Sequence, residues 1–201
     1  MPDLELEDSF KGPIAGIDEA GRGPWAGPVV ASAVILNREN IPAGLNDSKK
    51  LSAQKRETLR DKLWQSGAII GIGLANVEEI DRLGILKSTF LAMQRAIDEL
   101  KERPEQILVD GNLKPYFGGI PTLPVIKGDG KSLSIAAASI IAKTYRDDLM
   151  GKLAAQFPGY GWEKNMGYGT KLHQDGLKLL GVTSQHRLSF APIKKILSES
   201  N

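Results

Sequence analysis

The sequence contains no cysteine and only two histidines, His173 and His186. The first absence excludes disulfides, thiolate metal sites and cysteine nucleophiles. The second excludes a histidine-rich metal centre. Any metal must then be held by oxygen donors, which favour magnesium, manganese or calcium. No apolar run approaches the length of a membrane span, so no membrane partner is expected. The missing thiols fit a reducing, cytoplasmic setting. Charge of neither sign is in excess: 26 Lys and Arg stand against 24 Asp and Glu, a net charge of +2. A nucleic-acid partner is therefore allowed, provided that basic residues gather locally.

What is present is a chain of 201 residues, 41% hydrophobic and 25% charged, which is enough for one globular domain with a substantial core. Met1 to Ser9 is acidic and has no apolar centre. Residues 1–11 are accordingly expected to be a short, frayed tail rather than a signal peptide, and residues 12–201 one catalytic domain, monomeric by default.

The pattern along the chain predicts a mixed α/β fold. Pro13 to Ile17 reads as a buried strand, and Val29 to Leu36, β-branched and apolar, as a second. Asn37 to Lys50 reads as a loop. Ser52 caps a predicted helix to about Ser66, with Leu59 and Leu63 on one face. Ala68 to Ala75 is a third strand, which closes an antiparallel meander. Leu86, Phe90, Met93, Ile97 and Leu100 then recur at helical spacing, and that helix is expected to end near Pro104. Gln106 to Val109 and Pro121 to Ile126 are short extended runs. Leu133 to Leu153 is alanine-rich and helical, with Ala138, Ile141, Tyr145 and Leu149 on its apolar face. Phe157 to Thr170 is irregular, and a helix-turn-helix follows from Lys171 to Ser198. This order gives a sheet with an antiparallel start and a parallel continuation.

Asp18, Asp110 and Asp129 share one property: each lies just after an apolar extended run. In open α/β sheets ligands gather at the carboxyl ends of parallel strands, so Asp18 and Asp110 converge if their strands are parallel neighbours. Read singly, Asp110 is a strand-exit turn residue and Asp129 a helix-cap or turn aspartate. Read together with Glu19, and with almost no histidine in the chain, they form a carboxylate cage for metal. Two divalent ions ~3.5–4 Å apart suit in-line displacement at phosphorus. Gly21 and Gly23, which lack a Cβ, let backbone N–H groups approach a ligand closely. Arg22 between them can also simply neutralise its acidic neighbours. Lys49, Lys143 and Arg146 are candidates for sequence-blind phosphate contacts, with Lys50 and Lys171 weaker ones. Asp147 is a spare carboxylate. His173 either hydrogen-bonds near the scissile phosphate or is structural.

These residues also carry a resemblance. Asp18 to Gly23 (DEAGRG), Pro28 to Ala31, Asp47 to Leu51 (DSKKL), Val109-Asp110-Gly111 and Lys127-Gly128-Asp129 resemble, in order, the pattern of the bacterial ribonuclease HII family. The likeness continues through Ala136 to Lys143 (AAASIIAK), Arg146-Asp147, Gly167 to Thr170 with His173, and His186 to Phe190 (HRLSF), and so covers nearly the whole chain. Thr144-Tyr145 is a departure, since the family commonly has Val-Thr there. The resemblance implies a ribonuclease H-like mixed sheet flanked by helices, with a helical C-terminal extension. It implies an endonuclease that cuts RNA in RNA–DNA hybrids and beside single ribonucleotides embedded in duplex DNA. It implies Mg2+ or Mn2+ as a pair of ions at Asp18, Glu19, Asp110 and Asp129. It further implies contacts to the ribose 2′-hydroxyl from Gly21, Arg22, Gly23 and Tyr168, the tyrosine also stacking on the next sugar. His186 and Arg187 are expected to tie the C-terminal helices to the core.

Three rival readings follow from the same residues. The sister ribonuclease HIII family usually lacks the arginine of the glycine turn and carries an extra N-terminal domain. A phosphate-loop NTPase would need a G-x-x-x-x-G-K-[ST] or G-x-G-x-x-G motif, and Gly21 to Gly27 forms neither. A non-catalytic hybrid-binding relative would be expected to have lost metal carboxylates.

Overall fold

A strand whose every residue is buried needs partners on both edges and a layer on both faces. In the computed structural model, which describes residues 1–199, that strand is β2 (Val29–Ile35). It lies between β1 (Ile14–Ala20) and β3 (Ile69–Ala75), antiparallel to each. β4 (Gln106–Asp110) pairs with β1 in parallel, and β5 (Thr122–Val125) with β4 in parallel, giving the order β3-β2-β1-β4-β5. The expected antiparallel start and parallel continuation are both present.

The helices divide between the two faces. α4 (Ile85–Asp98) packs on β3 and β2, and α5 (Leu133–Gln156) packs across β1 and β2 from the other side, with α2 (Ala53–Gln65) behind it. α5 approaches so closely that a Cβ on Gly16 would fall 2.2 Å from the Ser134 carbonyl carbon. α6 (Trp162–Asn165), α7 (Lys171–Leu180) and α8 (Ala191–Glu199) form the helical extension. No helix among the described residues is long and apolar enough to cross a membrane. Ser200 and Asn201, the end of the expected domain, lie outside the described residues.

Several local expectations need correction. α3 (Val77–Leu83) is too short to show in the apolar pattern; its start is set by a capping box between Asn76 and Glu79. α4 ends at Asp98, before Pro104. Its buried face holds Ser88, Thr89, Ala92 and Ala96 beside Met93 and Ile97, whereas Leu86 is exposed. Small residues occupy that face because Gly71 and Gly73 of β3 let the helix backbone come within contact of the sheet. On α5, Ala138 and Ile141 are buried as expected, but Tyr145 is exposed. Past Ala142 the helix leaves the sheet, and its inner face becomes Thr144, Arg146 and Met150, turned to the chain after β1 and to the C-terminal helices.

The N-terminus is not frayed. α1 (Glu5–Asp8) docks on the start of α5, where the buried Glu7 carboxylate accepts from Ser132 Oγ (2.6 Å), Ser134 N (2.9 Å) and Ser134 Oγ (2.7 Å). Hydrogen bonds to a charged acceptor contribute about 1.5–3 kcal/mol each, enough to hold a short acidic segment in place. Asp3 N donates to Lys131 O, and Leu133 N to Asp3 O, so this segment also braces the chain just after Asp129.

Candidate active site

The register of the sheet brings the acids together. Ile17 is the last β1 residue to pair with β4, opposite Val109 in the parallel ladder, so Asp18, still within β1, and Asp110, the last residue of β4, follow side by side on adjacent strands. Asp129 lies in a single 3-10 turn, Gly128–Gly130, shortly after β5. That turn is tied to β4 by Gly128 N, which donates to Asp110 Oδ1 at 2.7 Å. Asp18 Oδ1 accepts from Glu19 N at 2.7 Å, and Glu19 Oε1 accepts from Arg22 Nη1 at 3.3 Å.

The four acids sense one another. Burial pushes the Asp18 carboxyl well above the usual range, and the charges of Glu19, Asp110 and Asp129 push it further. Glu19 is raised by burial, against the pull of Arg22. Asp129 is raised by burial, then by the charges of Asp110 and Asp47. Asp47 is thus a fifth acid at the site. The sequence showed it only as the start of Asp-Ser-Lys-Lys, and the structure also makes it the cap of the 3-10 turn Ser48–Lys50. Burial by itself would lower Lys49, but Asp18, Asp129, Asp47 and Asp110 outweigh it and hold the ammonium above its ordinary pKa. Among the described residues no three His, Asp or Glu side chains are grouped closely enough to hold a metal ion as they stand.

A cavity of about 310 Å3 opens beside Asp18 and Glu19; Gly21, Arg22, Gly23, Lys49, Lys143 and Tyr168 also line it. Asp110 opens onto an adjoining cleft that Glu19 and Arg22 share. Tyr168 is half exposed. Lys143 pairs with Asp147 at 2.7 Å, so Asp147 serves as that lysine's partner. Lys171 pairs with Asp175 on the exposed face of α7.

Two expected substrate contacts are corrected. Arg146 reaches the cavity wall, but it is 1% exposed and each of its three guanidinium nitrogens donates to a backbone carbonyl: Nε to Pro28, Nη2 to Ala26 and Nη1 to Met166. His173 is fully buried and lies in an aromatic cage with Trp25, Tyr160 and Trp162, outside the cavity. Its partners settle the proton positions. His186 Nδ1 accepts from Thr183 N, so His186 Nε2 carries the proton and donates to His173 Nε2 at 3.0 Å. His173 Nε2 also accepts from Trp162 Nε1, leaving Nδ1–H to donate to the Tyr168 carbonyl at 3.0 Å. The pair therefore holds Tyr168 in place from behind. His186, as expected, ties the C-terminal extension to the core, and so does Arg187.

Burial pushes His186 down to about 4, with His173 adding to the shift, and lowers His173 as well. A folded pKa below the unfolded value of ~6.5 means that the unfolded chain binds the extra proton. The stability involved is complete above pH ~6.5 and is lost as pH falls towards 4. In urea titrations across this window, the wild type should lose about 2–3 kcal/mol relative to His186→Gln, whose side chain does not titrate. Parallel pH profiles for the two proteins would remove the histidine pair as the cause.

The family profile of ribonuclease HII matches residues 15–193. The chain is 56% identical over 196 residues to ribonuclease HII of Jannaschia sp. (strain CCS1), an alignment that covers 98% of each protein. The crystal structure of ribonuclease H2 from Pyrococcus horikoshii OT3 superposes with a TM-score of 0.78 at 28% identity, covering 94% of this chain and 98% of that one. Ribonuclease HII of Archaeoglobus fulgidus, in a structure of its complex with PCNA, superposes with a TM-score of 0.77 at 28% identity, covering 89% and 95%. The chain belongs to the ribonuclease HII family.

Proposed function

We propose that this enzyme cuts the RNA strand of RNA–DNA hybrids and nicks duplex DNA on the 5′ side of a single embedded ribonucleotide, leaving a 3′-hydroxyl and a 5′-phosphate. The observation that carries the reading is the convergence of Asp18, Glu19, Asp110 and Asp129 beside a cavity walled by the Gly21-Arg22-Gly23 turn and Tyr168. The donor set fits hard divalent cations: every candidate ligand is a carboxylate oxygen, and the group is short of positive charge. Asp18, Glu19, Asp110 and Asp129 would hold Mg2+ or Mn2+ as a pair of ions. When bound, such ions supply charge stabilisation at the phosphorus under attack and a lower pKa for the attacking water.

The remaining roles belong to the protein's own groups. Lys49 lines the cavity and meets a phosphate oxygen as a point charge. Lys143, steadied by Asp147, adds a second positive charge on the same wall. The glycine turn meets the ribose, and Tyr168 meets the 2′-hydroxyl and the sugar that follows. A hydroxyl is what separates RNA from DNA at such a position.

The test uses a labelled DNA duplex with one ribonucleotide, incubated with Mg2+ or Mn2+, with chelator, and with Asp110→Asn. A nick on the 5′ side of the ribonucleotide is expected, abolished by chelator and by the substitution. If the wild type left both this duplex and a full RNA–DNA hybrid intact, the acids would not be a working site.

A further inference from the structure

The turn after β1 closes around a buried cation. Arg187 is fully buried, and among the described residues no carboxylate forms an ion pair with its guanidinium. Its donors go to the turn instead: Nη2 to Gly21 O (2.6 Å) and Gly27 O (2.8 Å), Nη1 to Arg22 O (3.0 Å), and Nε to Gly27 O (2.9 Å). Arg146 supports the same segment from α5. Gly21, at φ +99°, rests so close to it that a Cβ there would fall 2.0 Å from Arg146 Nε. Arg187 is itself pinned. Phe190 packs under its guanidinium at 5.0 Å, and Asp81 of α3 accepts from Leu188 N, Ser189 N and Ser189 Oγ.

All peptide bonds in the described chain are trans, and a trans peptide points its N–H opposite to its C=O. The Gly21 and Arg22 carbonyls face inward to Arg187. The N–H groups of Arg22 and Gly23 must therefore face away from Arg187, on the side where these residues line the cavity. Neither N–H donates to any group among the described residues. Two free donors on successive residues, beside the acids, await an oxygen acceptor.

We propose that Arg187 is a positioning residue for substrate selection: by drawing two carbonyls inward, it presents the N–H groups of Arg22 and Gly23 to the ribose 2′-hydroxyl. The inference rests on the reading of this cavity as the ribonucleotide site. Arginine suits the task because its planar fork spans three carbonyls from one buried position, which a lysine ammonium does not do. A phosphate oxygen could accept from the same pair of donors. Phosphates, however, are present in DNA and RNA alike, so a comparison of the two separates these acceptors.

The test measures binding by fluorescence anisotropy, with Ca2+ in place of Mg2+, to a duplex with one ribonucleotide and to the same sequence as all-DNA. Wild type, Arg187→Lys and Phe190→Leu are compared, with the amide 15N–1H resonances of Arg22 and Gly23 as a second readout. The wild type should prefer the ribonucleotide duplex. Arg187→Lys should lose about tenfold of that preference, the weight of one or two hydrogen bonds, while all-DNA binding stays level and the two resonances shift. A folded Arg187→Lys that keeps the wild-type preference with unmoved resonances overturns the proposal. Equal weakening towards both duplexes assigns the donors to phosphate and also overturns it. A wild type with no preference instead refutes the ribose reading on which the inference rests. Should Arg187→Lys fail to fold, Phe190→Leu, which removes only the support beneath the guanidinium, should lower the preference in the same direction. An unchanged preference there overturns the proposal.

Discussion

Asp18→Asn should lose metal-dependent cleavage by on the order of 10³-fold, and should melt at a higher temperature than the wild type in divalent-free buffer. The two effects share a cause. Asp18 is buried among Glu19, Asp110 and Asp129, and each of these charges opposes its ionisation. An amide of the same shape keeps the Oδ1 acceptor for Glu19 N while removing one charge from the cluster. Relief of about 1 kcal/mol would raise the melting temperature by roughly 2–4 °C in a protein of this size. The acids whose charges oppose Asp18 are the ones a divalent cation would neutralise. Added Mg2+ or Mn2+ should therefore raise the melting temperature of the wild type with the logarithm of its concentration above Kd, and raise that of the variant much less. Activity at the wild-type level in Asp18→Asn would remove this residue from the site. A lower melting temperature without metal would show instead that Asp18 is a structural acid.

The acids were legible in the sequence for a physical reason. Acidic residues directly after apolar runs have few structural uses; the structure extends β1 through Asp18 and Glu19 to Ala20 and ends β4 on Asp110, and parallel pairing sets these acids side by side where the β1–β4 ladder stops. The antiparallel meander was legible for a similar reason, since Val29 to Ile35 is apolar throughout and Gly71 and Gly73 sit within an apolar run. Buried polar groups satisfied by backbone carbonyls left no such trace. Arg146 resembles a phosphate contact in the sequence because nothing local shows that the Ala26, Pro28 and Met166 carbonyls will each accept from one of its nitrogens. His173 fails in the same way: its partners, His186, Trp162 and the Tyr168 carbonyl, are brought to it by the tertiary fold. Glu7 lies in an acidic stretch that reads as solvated until α5 offers it Ser132 and Ser134. In each case the sequence displays the charge, and only the folded chain displays the group that answers it.

Tyr168→Ala should cut activity on the single-ribonucleotide duplex by about 10- to 100-fold, the weight of a stacking ring, and Tyr168→Phe by less. The ring is half exposed on the cavity wall, and its Cε1 lies 3.3 Å from where a Cβ on Gly23 would stand. Tyrosine and glycine turn therefore face the same space. The backbone of Tyr168 is held on both sides of its side chain, by Tyr168 N donating to Asn165 O and by His173 Nδ1 donating to Tyr168 O. A half-exposed ring on so constrained a backbone contributes little to the core, so its removal should leave the melting temperature nearly unchanged. That separates a substrate contact from a packing residue. The Phe variant then divides the effect: what it retains measures stacking, and what it loses measures the phenolic hydroxyl. A long RNA–DNA hybrid, where every position offers a 2′-hydroxyl, should be cut with a smaller loss than the junction substrate. If Tyr168→Ala cut the single-ribonucleotide duplex at the wild-type rate, the ring would have no part in recognition, and selection at this site would rest on the glycine turn.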